Sequence, residues 1–539
     1  MRNSVGKSGP VGEVNGCLPY RPGESKSKSA LVTSVLFPRP VTFSADLCSR
    51  RPIASRSSRN PLDIKTSRDM IAMSFPQKLA LRQYVFAAVA ISASLFALAT
   101  NHNASAQTTL VPPITFFESF AASHNQAQVA ISLDRILDHE IAIGQTTLVT
   151  TPTVTLTAPA GSLPLFVLTQ LVNELGPNVL NPALFDPAIR RAFVDLAPNL
   201  YTDLPYITFD NTHTVYNSLE SRMAEIRSDY IQVVVPTTTT YPSDGKSGPG
   251  KEVKNPIMPP SVTPEQKWGF FAIGNGKFGE LDSDGNGVGF KYQSGGVVVG
   301  ADYKILPDLA IGIAGGYEYT NLDPTLVSGS GSANSGYGTL FATYGRATGL
   351  YAEAIGAVGY TAYDVQRDVL GTSAHGYPDG WDASVGGTLG YLFKITDNIG
   401  IAPFGKIFYD HLWRSGTSET GSIASLDIRH GSADSLQTTV GGKIVIVFNL
   451  GGIRLNNEIW AGYRHEYLQT QYAVASSFLD GGVNTFSTRG PRFSPDSIVG
   501  GVGTNAEITR NWSVSFNYNV EANDAYYGHE FLLGLKYKF

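Results

Sequence analysis

From residue 267 to the last residue, apolar and polar side chains alternate in short runs punctuated by glycine and polar turns. Period-two alternation is the mark of strands with one apolar and one polar face. The pattern predicts twelve strands, at 267–280, 288–304, 309–320, 333–346, 350–364, 381–394, 399–413, 436–449, 453–467, 496–507, 511–522 and 528–539. Short turns such as LPD, ATG and TDN alternate with long polar loops such as LDPTLVSGSGS, GTSAHGYPDG and SGTSETGSIASLDIRHGSAD. An even strand count, with short turns at one end and long loops at the other, predicts an all-β fold, a 12-stranded antiparallel transmembrane β-barrel. The final strand, GHEFLLGLKYKF, sets Phe531, Leu533, Leu535, Tyr537 and Phe539 on one face, and Leu532 is the apolar exception on the other. In a soluble sheet such an edge invites aggregation, whereas closure removes it.

The polar parity predicts what lines the interior. In the ninth strand Arg454, Asn456, Glu458, Arg464 and Glu466 share one face, opposite Leu455, Ile459, Ala461 and Tyr463. Arg454, Glu458, Arg464 and Glu466 are therefore expected in the lumen. There Arg464 and Glu466 serve either as a structural ion pair or as charge lining a conduit. A soluble β-sandwich also alternates, but the export signal described next points away from it.

Upstream, the period changes. Residues 212–232 read as a helix, with Val215, Leu219, Met223, Ile226 and Tyr230 at steps of three and four and Thr212 available as N-cap. Residues 107–211 mix short helical and extended patterns with many prolines, and 233–264 are a Pro-, Thr- and Gly-rich linker. Lys78 and Arg82 precede an apolar run over 84–99, followed by Ala104-Ser105-Ala106. This is a secretory signal peptide over 73–106, with cleavage expected between Ala106 and Gln107. The run is shorter than the roughly 20 residues a transmembrane helix needs. Residues 1–72, before Met73, are Ser-, Arg- and Pro-rich without periodicity, an unstructured leader or a mis-started extension.

Composition sharpens this picture. Only 16% of residues are charged, while Gly (56), Phe (27) and Tyr (26) are abundant and mean hydropathy is −0.04. Apolar and polar faces of a barrel average out in this way. The two cysteines, Cys17 and Cys48, lie near the N-terminus, leaving no disulfide framework beyond them. Residues 107–539 hold 26 basic and 40 acidic side chains, a net charge of −14, which argues against nucleic acid as a partner.

The chemical motifs are weak. GKSGPGKE (residues 245–252) has Glu252 where a phosphate-binding loop needs Ser or Thr. DSDGNG (282–287) opens like a calcium loop, but Gln293 replaces the terminal glutamate. No His-x-x-x-His pair and no Gly-x-Ser-x-Gly elbow occurs. His465, between Tyr463 and Tyr467, suits an interfacial aromatic girdle. No catalytic residue, cofactor or metal is expected.

Residues 268–539 resemble the autotransporter translocator domain of type V secretion. The resemblance rests on WGFFAIGNGKFGELDSDGNGVGFKYQSGGVVVGADYKI, AGYRHEYLQTQYAVASSFLDG, FSTRGPRFSPDSIVGGVGTNAEIT and the final GLKYKF, including Tyr463-Arg464-His465-Glu466. Upstream, SHNQAQVAISLD keeps Asn125, Gln126, Val129, Ala130, Leu133 and Asp134 of a segment typical of the same subgroup, and APNLYTDLP resembles its pre-barrel segment. The resemblance implies a barrel that exports or displays an N-terminal segment, here a short passenger or junction region over 107–211. It implies outer-membrane lipid, the barrel-assembly machinery and periplasmic chaperones as partners, with Phe531, Leu533, Leu535, Tyr537 and Phe539 as the assembly signal. A surface adhesin engaging a host or surface ligand, or a porin-like barrel, is the alternative. Long loops outside require the 265–539 barrel to begin on the periplasmic side. Residues 212–264 then run through the lumen. A helix there spans about 30 Å, comparable to the roughly 25 Å apolar band.

Overall fold

The computed structural model describes residues 115–142, 147–150, 154–157, 162–176, 178, 181–228, 266–346, 348–479 and 484–539. The expected signal peptide, the 1–72 leader and the 233–264 linker lie outside these residues.

Twelve strands form the barrel: β1 (Trp268–Leu281), β2 (Phe290–Leu306), β3 (Leu309–Pro324), β4 (Gly329–Gly345), β5 (Gly349–Val369), β6 (Asp379–Lys394), β7 (Ile399–Arg414), β8 (Gly431–Leu450), β9 (Ile453–Glu466), β10 (Asp496–Glu507), β11 (Trp512–Ala522) and β12 (Tyr526–Lys538). Each pairs antiparallel with the next, and β12 closes on β1. The predicted barrel is the observed one. Several strands reach further into the long loops than alternation suggested, as with Gly329–Ser332 and Gly431–Ser435, which still pair with neighbours. Those stretches are small and polar on both faces, so hydrogen bonding continues where the hydrophobic signal has ended.

The outer face is apolar. Leu340, Val440, Ile498 and Leu533 stand 67, 67, 64 and 61% exposed, as a lipid-facing surface requires. Aromatic rings gather at both ends. Trp268 and Tyr303, Phe270 and Phe539, and Trp512 and Tyr537 meet near the short turns, with centroids 4.7, 5.5 and 4.8 Å apart. Tyr360–Trp381 and His411–Trp413 meet near the long loops. His465 belongs to that outer girdle. Its ring packs on Tyr467 and its Nδ1 lies 2.6 Å from Asp496.

Among the described residues upstream of the barrel are four α-helices, α1 (His124–Ala142), α2 (Leu163–Leu175), α3 (Pro182–Leu196) and α4 (Asn199–Ser228), and a hairpin of Thr147–Thr150 with Val154–Thr157. Local sequence starts each of the first three. The Gln126 amide donates to Ser123 Oγ while Gln126 Oε1 accepts from Ala122. Ser162 and Asn181 cap α2 and α3, each followed by an early proline. Val129 and Leu133 of α1, Val167 of α2, and Phe185, Ile189 and Phe193 of α3 are buried in one core. That core continues into Leu426, Ile428, Val474, Phe478 and Phe486 of the long loops. The first three helices therefore cap the long-loop mouth. A four-stranded sheet, built from Thr417–Ser418, Leu426–Ile428, Ala473–Phe478 and Phe486–Arg489, supports them.

The fourth helix begins at Asn199, well before the expected 212, and runs through Pro205. Thr212 is not its N-cap. It sits mid-helix, its hydroxyl donating to the Thr208 carbonyl at 3.0 Å. The proline and the run Thr202, Asp203, Thr208, Asp210, Asn211 read as a polar segment, yet all these side chains are buried. Polar surroundings inside a barrel let a polar helix be buried.

Candidate functional site

The lumen and the helix inside it form the candidate site. One face of α4 is apolar: Val215, Leu219, Met223 and Ile226 pack on Phe271, Ile273, Val298, Phe341, Ile355 and Leu532 of the wall. Leu532, the one break in the last strand's alternation, is thus a helix contact. The remaining faces are polar. They bond to strands from β1 through β7 and to β9, β11 and β12. Asn211 Nδ2 donates to Ser335 at 3.3 Å, Tyr216 to the Ile355 carbonyl at 2.9 Å, and Asn217 to Glu530 at 2.8 Å. Helix α4 enters beside the long loops and leaves beside the short turns. Tyr206 meets Tyr292 and Tyr526 near the first, and Arg227 pairs with Glu353 and Thr343 near the second.

Buried ion pairs fix its depth. Arg222, 1% exposed, donates to both oxygens of Asp302 (2.8 and 3.1 Å) and to Glu225 (2.5 Å). Glu225 in turn faces Lys536 of β12 at 2.8 Å and accepts from Ser513 of β11. Lys277 pairs with Asp210, and Lys406 with Glu220 at 2.5 Å. Both α4 and the wall supply each sign of charge, so docking neutralises both. Between helix and wall at mid-lumen lie small gaps of about 30 to 60 Å³. A cavity of about 380 Å³ opens at the short-turn end, beside Ser221, Arg227, Lys443 and Asn456.

Gly269 admits the Arg222–Asp302 pair, since a Cβ there would overlap the Arg222 guanidinium and stand 2.6 Å from Asp302 Oδ1. Gly269→Val is expected to leave strand pairing intact but displace α4. Its signature is faster protease cleavage within 199–228 in folded, detergent-solubilised protein. Cleavage at the parental rate counts against this seating role.

The predicted lumen residues are on the inner face of β9, with partners of their own. Arg464 donates to Glu521 at 2.7 Å, not to Glu466. Glu466 accepts from Ser435 (2.6 Å) and from the Leu436 and Leu468 amides. Arg464 and Glu466 thus each bond a group on a neighbouring strand or loop rather than each other. Glu458 lies 3.4 Å from Lys443, and Arg454 is engaged as well. Phe531, Leu533, Leu535 and Phe539 are outward and exposed, with Tyr537 against Trp512. Ala106 and Gln107 lie outside the described residues.

The cap contacts were invisible to sequence reasoning. Asn125 clamps two loops at once: its amide and side chain bond Asn286, and its side chain both donates to and accepts from the Arg489 backbone. Asp134 accepts the Phe117 and Glu118 amides at 2.9 and 3.0 Å. Burial nevertheless pushes its carboxyl up to about 7, against the lowering pull of those amides. Arg367 of β5 binds Glu419 through two nitrogens and also donates to the carbonyls of Asp195, Leu196 and Ala197, where α3 ends. In the DSDGNG loop, Asp284 Oδ1 accepts the Asn286 and Gly287 amides, while Oδ2 accepts from Gln471 and Arg492. Its carboxylate organises the loop that Asn125 grips.

A family model described as the autotransporter beta-domain matches residues 270–519. Among curated proteins, an extracellular serine protease of Serratia marcescens is 23% identical over 270 residues, 49% of this chain and 25% of that protein. The chain thus spans about a quarter of the length of the curated relatives it matches. Among solved structures, the translocator domain of autotransporter NalP from Neisseria meningitidis is 15% identical with a TM-score of 0.43, over 52% of this chain and 90% of that one. The transport unit of autotransporter AIDA-I from Escherichia coli is 16% identical with a TM-score of 0.38, over 52% and 94%.

Proposed function

Because its C-terminal half is an autotransporter β-domain of the outer membrane, we propose that this chain passes its own N-terminal segment through the barrel and keeps it at the cell surface. The observation that carries this reading is the course of α4. Its N-terminal end lies among the long loops, and its C-terminal end beside the short turns where β1 begins. In outer-membrane barrels the long loops are extracellular, so helices α1 to α3 then sit outside and the first strand starts in the periplasm.

In this reading the exported segment is also the closure. Helix α4 fills the lumen, and the helical cap shares a core with the loops. The work of the chain is transport and display rather than catalysis. Its partners are membrane lipid, periplasmic chaperones and the barrel-assembly machinery, which reads β12.

An epitope placed after Gln107 should bind antibody on intact cells, and added protease should trim it while the barrel resists. An epitope detected only after the outer membrane is permeabilised rules out display and leaves a barrel with a periplasmic N-terminal segment.

A further inference from the structure

Two lumenal carboxylates have no ion-pair partner among the described residues. Asp382 of β6 and Asp410 of β7 are 1 and 0% exposed. Asp382 sits opposite Leu412, and Asp410 opposite Ser384, so the carboxylates are diagonal neighbours on the inner face. Asp382 Oδ2 lies 3.3 Å from the Thr212 hydroxyl oxygen of α4. Among the described residues, its Oδ1 and both oxygens of Asp410 have no donor within hydrogen-bonding geometry. Cations on neighbouring turns are committed elsewhere: Lys277 to Asp210, Lys406 to Glu220, Arg464 to Glu521.

Two further observations bear on the same place. Tyr337 of β4, Gly359 of β5 and Asp382 stand in one cross-strand row. A Cβ on Gly359 would overlap the Asp382 carboxylate, which therefore leans over that glycine towards Tyr337. Among the described residues the Tyr337 hydroxyl, 6% exposed, has no partner within hydrogen-bonding geometry, nor has Ser384 Oγ at 7%. These carboxylates and hydroxyls occupy neighbouring positions on the inner wall, with Asp382 facing α4 at Thr212.

Taking two uncompensated carboxylates out of water costs several kcal/mol per charge, so this place demands a neutralising guest. The donors are all oxygen, which suits a hard cation and not a thiol- or imidazole-seeking metal. We propose that the lumen binds a calcium-class divalent cation through Asp382 and Asp410, with the hydroxyls of Thr212, Tyr337 and Ser384 completing an oxygen donor set. Among the described residues no three His, Cys, Asp or Glu side chains cluster as a metal site, so the hydroxyls are essential to it. The cation ties β6 and β7 to α4 through Thr212 and makes closure of the lumen depend on divalent ions.

The test uses the full chain folded in detergent, melted in millimolar CaCl₂ and in EGTA. Calcium is expected to raise the melting temperature by several degrees. Asp382→Asn/Asp410→Asn should abolish that response and melt in EGTA at or above the parent, because two buried charges are gone. Terbium should give saturable, tyrosine-sensitised emission that calcium displaces and Tyr337→Phe weakens. Coincident melts in CaCl₂ and EGTA overturn the proposal, as does a double variant that keeps its calcium response. Stabilisation by acid alone, with none from calcium, assigns the pair a proton instead and also overturns it. Should the double variant not fold, the terbium titration decides: absent emission, or emission unchanged in Tyr337→Phe, counts against the site.

Discussion

Replacing Arg222 with alanine is expected to turn a closed barrel into a conducting one. Arg222 is the hub of an ion-pair cluster in the short-turn half of the lumen, joining Asp302 of β2 to Glu225 and, through it, to Lys536 of β12. Truncation leaves Asp302 facing α4 without its cation. Breaking one side of a buried pair costs about 3–5 kcal/mol, because the surviving charge stays desolvated. Since each 1.4 kcal/mol is about tenfold, the docked helix loses a hundredfold or more of its advantage. In planar bilayers the parent should be nearly silent and the variant should show frequent openings. Equal conductance in the two proteins sinks the assignment of Arg222 as the anchor.

Assembly should fail at the other end of the chain when the closing seam is trimmed. Phe539 exchanges both backbone hydrogen bonds with Trp268, at 3.1 and 3.2 Å, and its ring stacks on Phe270. Tyr537 packs on Trp512 at 4.8 Å. A hydrogen bond contributes roughly 0.5–1.5 kcal/mol net, and an aromatic pair about the same. Tyr537→Ser/Phe539→Ser, or deletion of Phe539, should therefore cut heat-modifiable barrel in the outer membrane several-fold, a response expected even for losses of about 1–2 kcal/mol. Parental amounts in both variants remove β12 from the assembly signal.

Much of the wall was legible in the sequence because lipid and water impose opposite demands on successive residues. The helix was only half legible. Its apolar stripe from Val215 to Ile226 stood out, but the turns from Asn199 to Asn211 bury Thr202, Asp203 and Asp210 in polar company. No periodicity rule marks a buried polar turn. A usable signal lay in the wall itself: Phe271, Ile273, Val298 and Leu532 are apolar on the side that should face water. Inward apolar residues in a barrel strand announce something packed inside. The cap contacts were closed to such reasoning, because Asn125 reaches partners 161 and 364 residues away.

The threading of α4 has a mechanical consequence. A helix about 10–12 Å across fills the ring, and on the long-loop side it continues into three packed helices, a head wider than the shaft. Pulled towards the short turns, the chain cannot slide out until that head unfolds. Nor can the ring slip off sideways without parting the seam between Trp268 and Phe539. The assembled molecule behaves as a bolt through a washer, its lifetime set by the barrier to unfolding the head or splitting the ring rather than by the sum of the lumenal contacts.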